Sequence, residues 1–324
     1  MSKSVLLLCS RFLPDLGGVE IHIAKVAKEL QSRGYEVTVQ STTSSDDDSK
    51  YPYNVIRTRT GDFVPKEDYD IIVAHDFYIY SKNLWDFSSE VYCVFHGWEG
   101  EFPVPNNIVQ KRRDISQEVL GSIQIGAYIE KWYGTQGRLC WGGIDPIEDK
   151  GNYLNYKDVF VFVGQLRKDL ELEKYLKILS YLNHRVKLDV IGEGDIDYYS
   201  NLCNNYSIDV TFYGAINSLE EREKFFSIYN KAGYVLGGGY LSILQAMLNE
   251  KEVIATYSND LKRDYIEWFP GKMISGPFEN EGIDLAMRIN EGLPLEIIRG
   301  NAKWASSQSW ARVADIYENM WKND

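Results

Sequence analysis

The chain has 324 residues, with 35 Lys and Arg against 47 Asp and Glu, for a net charge of −12. That length suits two domains of roughly 150 residues, each able to bury its own core. Residues 1–150 carry 16 basic and 22 acidic side chains and the remainder 19 and 25, so each half sits near −6 and a nucleic-acid backbone is disfavoured as main partner. Cys9, Cys93, Cys140 and Cys203 lie far apart, without metal-ligand spacing, and read as reduced, buried thiols. No apolar segment approaches ~18 residues and the N-terminus lacks a signal-peptide pattern, so a soluble, cytoplasmic protein is expected.

The first half reads as a parallel α/β domain. Val5 to Ser10 is a continuous apolar run, the mark of a central parallel strand. It leads through Gly17-Gly18 into a helix to Arg33, with Ile23, Ala24, Ala27 and Leu30 on one face, and Glu36 to Gln40 alternates like a strand. Ser41 to Lys50 is loop-like. Further strands are expected at Ile71 to Ala74, ending in His75-Asp76, and Val91 to Phe95, ending in His96-Gly97. Residues just past parallel strand ends face a ligand crevice, so Gly17, Gly18, His75 and His96 should gather on one rim. His22 and His75 fit a structural hydrogen-bonding role, whereas His96, at the mouth of a Gly-Trp turn, is placed to reach a ligand. Lys111-Arg-Arg113 reads first as a solvated helix face, and otherwise as a contact for an anionic acceptor or a membrane surface. The loop from Glu99 to Asn107 has no translatable pattern. Residues 140–157 are dense in Gly, Asp, Asn and Pro, a linker composition near the midpoint.

The second half repeats the scheme. Val159 to Val163 is a buried-strand run, followed by Gly164 to Asp169 and a helix to about Leu182. Lys187 to Ile191 turns through Gly192-Glu-Gly-Asp195 into another helix. Val210 to Tyr213 follows, and Ser218 with Glu221 reads as a capping box for a helix to Lys231. Then Tyr234 to Leu236 enters Gly237-Gly-Gly239, a helix carries Leu241, Leu244, Met247 and Leu248, and Val253 to Ala255 closes a βαβ unit. Such a turn suits a diphosphate, because glycine lets the backbone approach and the helix N-terminus favours negative charge. It is equally the form of a glycine connection without a ligand. The tail after Pro270 looks irregular until Asn301, where Trp304, Trp310, Val313, Ile316, Tyr317 and Trp321 give one amphipathic terminal helix that packs on a domain surface.

Taken in order, these motifs resemble the retaining family-4 glycosyltransferases over nearly the whole chain. Gly17-Gly-Val-Glu20 is similar to their Gly-Gly-x-Glu loop, Asp70 to Asp76 to their strand ending in His-Asp, and Val94-Phe-His-Gly97 to the strand carrying the active-site His. Trp141-Gly-Gly-Ile-Asp145 resembles Asn-Gly-Val-Asp before the domain crossing, and Val163-Gly-Gln-Leu166 resembles Val-Gly-Arg-Leu. Val190-Ile-Gly-Glu-Gly194, Val210-Thr-Phe-Tyr-Gly214, Leu244-Gln-Ala-Met247, Val253-Ile-Ala-Thr256 and the closing Ser309-Trp310 have counterparts there too. The resemblance implies the GT-B fold: two Rossmann-like doubly wound parallel sheets facing a central cleft. An acceptor-side domain would span 1–148, joined by the terminal helix 303–324, and a nucleotide-sugar domain 149–302. It also implies transfer of a sugar from a nucleoside-diphosphate sugar to a hydroxyl of a glycan, glycolipid or small molecule, with retention and without metal or other cofactor. The implied partners are the nucleotide sugar and a sugar or lipid-linked acceptor, with peripheral membrane contact compatible. His96 would be the catalytic residue. Substrate would be held by Gly17, Gly18, Glu20, Gln165, Arg167, Lys168, Gly192, Gly237, Gly238, Gly239, Tyr240, Leu241 and Gln245, with no metal ligands.

The chain departs from that pattern at the donor side. The family's two glutamates, eight positions apart, fall at Gly237 and Gln245, and its diphosphate-gripping Arg and Lys at Gln165 and Leu170. Gly237 offers only backbone; Gln245 can still hydrogen-bond a ribose hydroxyl, more weakly than a carboxylate. Arg167 and Lys168 stand nearby as substitutes for the lost cations. Two readings follow: a glycosyltransferase with a modified donor site, or a non-catalytic relative that binds a sugar or a partner subunit. A DNA-modifying sugar transferase fits the fold but not the acidic charge.

Overall fold

The computed structural model describes residues 2–59, 68–76, 90–97, 102–145, 157–167, 170–216 and 219–322. The chain divides into two compact units, one formed by Met1–Gly143 with Ser309–Asp324 and the other by Ile144–Gln308.

The described elements run β1 (Ser4–Leu8), α1 (Gly18–Ser32), β2 (Glu36–Ser41), β3 (Asn54–Arg57), β4 (Ile71–His75), β5 (Glu90–Phe95), α2 (Asn106–Glu118), β6 (Gly121–Ile125), α3 (Tyr128–Tyr133) and β7 (Arg138–Cys140). After them come β8 (Val159–Val163), α4 (Leu172–Leu179), β9 (Lys187–Ile191), α5 (Ile196–Asn205), β10 (Asp209–Phe212), α6 (Leu219–Tyr229), β11 (Tyr234–Leu236) and α7 (Tyr240–Leu248). The chain ends with β12 (Glu252–Tyr257), α8 (Asp260–Glu267), β13 (Ile274–Pro277), α9 (Ile283–Glu291), α10 (Leu295–Ser306) and α11 (Trp310–Trp321).

The first unit holds a seven-stranded sheet in the order β3-β2-β1-β4-β5-β6-β7, and every pair is parallel. Val5–Leu8, Ile71–Ala74 and Val91–Phe95 are wholly buried, as the continuous apolar runs demand of strands covered on both faces. Helix α1 buries Ile23, Val26, Ala27 and Leu30, at the spacings that make one face. Strand β3, with its polar ends, and the short β7 have no strand-like sequence signal and are set by pairing with β2 and β6.

The second unit is a six-stranded parallel sheet, β10-β9-β8-β11-β12-β13, a doubly wound order whose direction reverses between β8 and β11. Its core gathers Phe160, Phe162, Leu176, Leu188, Leu236 and Ile254. The Ser218 of the expected capping box lies outside the described residues.

Two expectations are corrected here. The tail after Pro270 is regular: β13 adds the sixth strand, α9 buries Leu285, Ala286 and Ile289, and α10 packs on α7. The terminal aromatic stretch is also two helices. α10 stops at Ser306, and Ser309 caps α11 by accepting the Arg312 N–H at 3.2 Å. Trp304 therefore meets Phe269 in the second unit, while Trp310 and Tyr317 pack inside the first.

One close approach fixes the second sheet's rim. Gly192 has φ +155, and a Cβ there would lie 1.8 Å from the Gly164 carbonyl oxygen. Gly192→Ala should therefore lower the unfolding free energy by about 2–4 kcal/mol, read as a fall in the urea midpoint. An unchanged midpoint would contradict this packing.

Candidate functional site

In the first unit the strand ends converge on three histidines. β4 finishes at His75 and β5 just before His96, and His75 Nδ1 lies 2.8 Å from His96 Nε2, one donating and the other accepting. His22, on α1, sets its ring edge-on to His96 with centroids 4.8 Å apart. Its Nε2 is 2.9 Å from the Tyr317 hydroxyl of α11, and Trp310 closes the group at 5.6 Å. All three imidazoles are buried, and His75 Nε2 has no hydrogen-bond partner among the described residues. Burial disfavours the imidazolium, so His22 and His75 fall well below their ordinary value. Burial, with the Arg112 cation adding to it, drives His96 to about 3. His96 is a neutral hydrogen-bonding group, and it has no proton to give as an imidazolium at physiological pH.

Two charges flank it. Asp76, in the left-handed region at φ 61, accepts the His96 backbone N–H at 2.9 Å. Arg112 is buried against the Tyr133 ring, 4.1 Å from its centroid, and donates to the Gly97 carbonyl at 2.6 Å. This divides the Lys111–Arg113 triplet, expected to be one solvated face: Arg112 is an interior residue, and Arg113 is exposed.

Gly17 caps α1 and Gly18 opens it, as expected, but the turn already faces an anion. Glu20 is buried in the first helical turn, and a Cβ on Gly17 would lie 2.3 Å from its Oε2. Arg11 stands 3.5 Å away. Burial raises the Glu20 carboxyl, opposed by its own backbone N–H and by Arg11. The carboxylate sits at the helix N-terminus, the end whose dipole favours negative charge.

In the second unit the β8 and β11 turns flank the point where strand order reverses. Gln165 and Arg167 are exposed and meet each other at 3.5 Å; Lys168 lies outside the described residues. The Gly192 N–H is committed to Gly214 O at 2.9 Å, and the Gly237 N–H to Ile254 O at 2.6 Å. Tyr240 is buried, stacked on Tyr265 at 4.3 Å and donating to its carbonyl, so its side chain belongs to the core. Leu241 is half-buried. Gly239 is exposed at the start of α7, with open space where a Cβ would stand. Gln245 keeps a buried Nε2 that has no hydrogen-bond partner among the described residues.

The side chain missing at Gly237 has a physical reason. A Cβ there would lie 2.8 Å from the Ile254 carbonyl and 3.1 Å from the Tyr175 hydroxyl. That hydroxyl, reaching in from α4, also accepts the Thr256 N–H at 3.3 Å.

No protein-family model matches the sequence, and no curated protein matches it. Solved structures do. HepE of Anabaena, in complex with UDP and glucose, is similar at TM-score 0.74 and 13% identity, over 99% of this chain and 100% of its own. The fold is the GT-B fold. The lipopolysaccharide outer core galactosyltransferase WaaB is similar at TM-score 0.68 and 13% identity, over 98% of each chain. A glycosyltransferase from Rickettsia africae is similar at 0.65 and 14%, over 100% of each. At such identities the likeness speaks for fold, and chemistry on a GT-B scaffold has to be argued from its residues.

Sequence reasoning did not place Arg112, Tyr317 or Tyr175 at these sites, because each contact joins residues well separated along the chain. For Arg112 a signal existed in its spacing: it lies three residues before Ile115, on the same face of α2, and both are buried.

Two outcomes follow. Unfolding frees each buried imidazole to bind a proton below ~6.5, while the folded form resists. The stability they contribute is complete above that value and is lost as pH falls below it, for His96 down to about 3, by up to ~1.4 kcal/mol per pH unit per histidine. The urea midpoint should drop between pH 7 and 5, and His96→Gln should flatten the drop by about one proton; a flat wild-type profile would be inconsistent with neutral histidines. Separately, Gly237→Ala should cost about 1–3 kcal/mol. Tyr175→Phe should recover part of that loss in a double-mutant cycle, and strict additivity would rule out the contact.

Proposed function

We propose that this chain is a retaining glycosyltransferase of the family-4 type, moving a sugar from a nucleoside-diphosphate sugar to a hydroxyl acceptor without a divalent ion. The observation that carries the reading is the second unit's switch point, where two glycine turns meet. There the open N-terminus of α7 at Gly239 and the unpartnered amide of Gln245 are both built for acceptors on a ligand. A buried donor left unmade costs about 1–3 kcal/mol, so Gln245 Nε2 calls for a partner such as a ribose hydroxyl. HepE, of the same fold, is seen with UDP-glucose and with UDP. The first unit is assigned the acceptor, with His96 as a neutral hydrogen-bond partner for a sugar hydroxyl. In the retaining reaction no protein nucleophile is needed, since the departing phosphate takes the acceptor's proton on the same face.

One feature favours a second reading, that of a nucleotide- or sugar-binding relative without turnover. Position 237 has no room for a side chain, so no carboxylate can reach the donor sugar from it.

Incubation with UDP-, GDP- and ADP-hexoses separates the two. Release of nucleoside diphosphate in the presence of an acceptor supports the enzyme. Thermal stabilisation by UDP, worth ~2.7 kcal/mol at a hundred times Kd, without release supports the binding protein. No stabilisation by any nucleotide, nucleotide sugar or free hexose sinks both.

A further inference from the structure

The second unit carries a charge cluster that neither glycine turn explains. Glu171 stands in the left-handed region at φ 57, at the N-terminal cap of α4. Its Oε1 accepts from Lys174 Nζ and, at 2.9 Å, from the Ser258 hydroxyl; its Oε2 accepts from Lys262 Nζ. The carboxylate and the Lys262 side chain are largely enclosed, at 12% and 14% exposure. Two ammonium groups and a hydroxyl, from α4 and from the turn that opens α8, thus converge on the two oxygens of one anion.

The position matters as much as the composition. Ser258 follows the end of β12, and Glu171 closes the connection from β8, so this connection spans the end of β11, which lies between those strands. Tyr175, one turn along α4, touches the Gly237 position. The cluster therefore sits on the same strand-end rim as the glycine turn, where the order reverses. A left-handed glutamate is a strained conformation that persists only while its contacts hold it. With Glu171 in place the three charges sum to +1, and with its carboxylate swung out the cradle presents +2. The nearby Arg263 does not compete, being engaged by Asp260 and Asp264.

Resting on the nucleotide reading above, we propose that Lys174, Lys262 and Ser258 are the diphosphate clasp of this chain, and that Glu171 is its internal occupant, displaced when a diphosphate enters. This supplies from α4 and α8 the positive charge that Gln165 and Leu170 do not. It also makes the clasp self-closing, since without ligand the lysines stay paired.

Calorimetric titration of UDP, pyrophosphate and uridine into wild type, Glu171→Gln, Lys262→Met and Lys262→Arg tests it. Glu171→Gln should bind UDP and pyrophosphate about tenfold tighter, because the competing anion is gone while the shape stays. Lys262→Met should bind them about tenfold weaker, Lys262→Arg should stay near wild type, and uridine should be insensitive to all three. UDP binding that is equal across the variants, or weakened in Glu171→Gln, overturns the clasp and leaves the nucleotide reading standing. No binding of UDP, ADP or GDP by wild type overturns both. Melting of the ligand-free variants checks folding, and Glu171→Gln decides the matter even if Lys262→Met does not fold.

Discussion

A parallel sheet covered on both faces leaves one kind of place for polar chemistry, the edge where its strands end. Both sheets here obey that constraint, with interior strands buried along nearly their whole length. Most groups proposed to meet a ligand are therefore supplied by a turn after a strand or by the first residues of the next helix, with Gln245, further along α7, the exception. Gly17, His75 and His96 in the first unit, and Gln165, Gly237–Gly239 and Ser258 in the second, all stand at such edges. The reversal of strand order adds a second restriction, since only there do the two flanking connections diverge and leave an opening.

Within those openings charge is settled internally. Glu20 covers the α1 N-terminus and leans on Arg11; Glu171 is shared by two lysines; Arg112 lies over Tyr133 near Asp76. The three histidines avoid the problem by staying neutral. Isolated ions are expensive to bury, so each is either paired or titrated away. On the clasp proposal, the rim of the second unit would take an anion by exchange, the Glu171 carboxylate leaving as a diphosphate enters.

The glycines have the complementary role. At Gly192 the backbone of the β9 turn touches that of the β8 turn, and at Gly237 the end of β11 meets Ile254 and Tyr175. These are steric positions first. At 237 the hydroxyl of Tyr175, from α4, stands 3.1 Å from where a Cβ would be, so that position has no room for a side chain.

The amino-acid sequence by itself determined the alternation of strands and helices, the two parallel sheets and the turns that border their openings. Apolar runs, glycine breaks and helical spacing are local signals, and a covered parallel sheet leaves little freedom in answering them. It also marked His96, Gln245 and the glycine turns as the residues to watch. Only tertiary structure decided that His96 is bonded to His75 and kept neutral, that Arg112 is interior, that the terminal aromatic stretch breaks at 307–309, and that Glu171 joins Lys174 to Lys262. Those contacts link residues up to 295 positions apart, as His22 and Tyr317 are. They depend on which side chains the packing brings face to face and on how much water it removes, and neither is written in any local pattern.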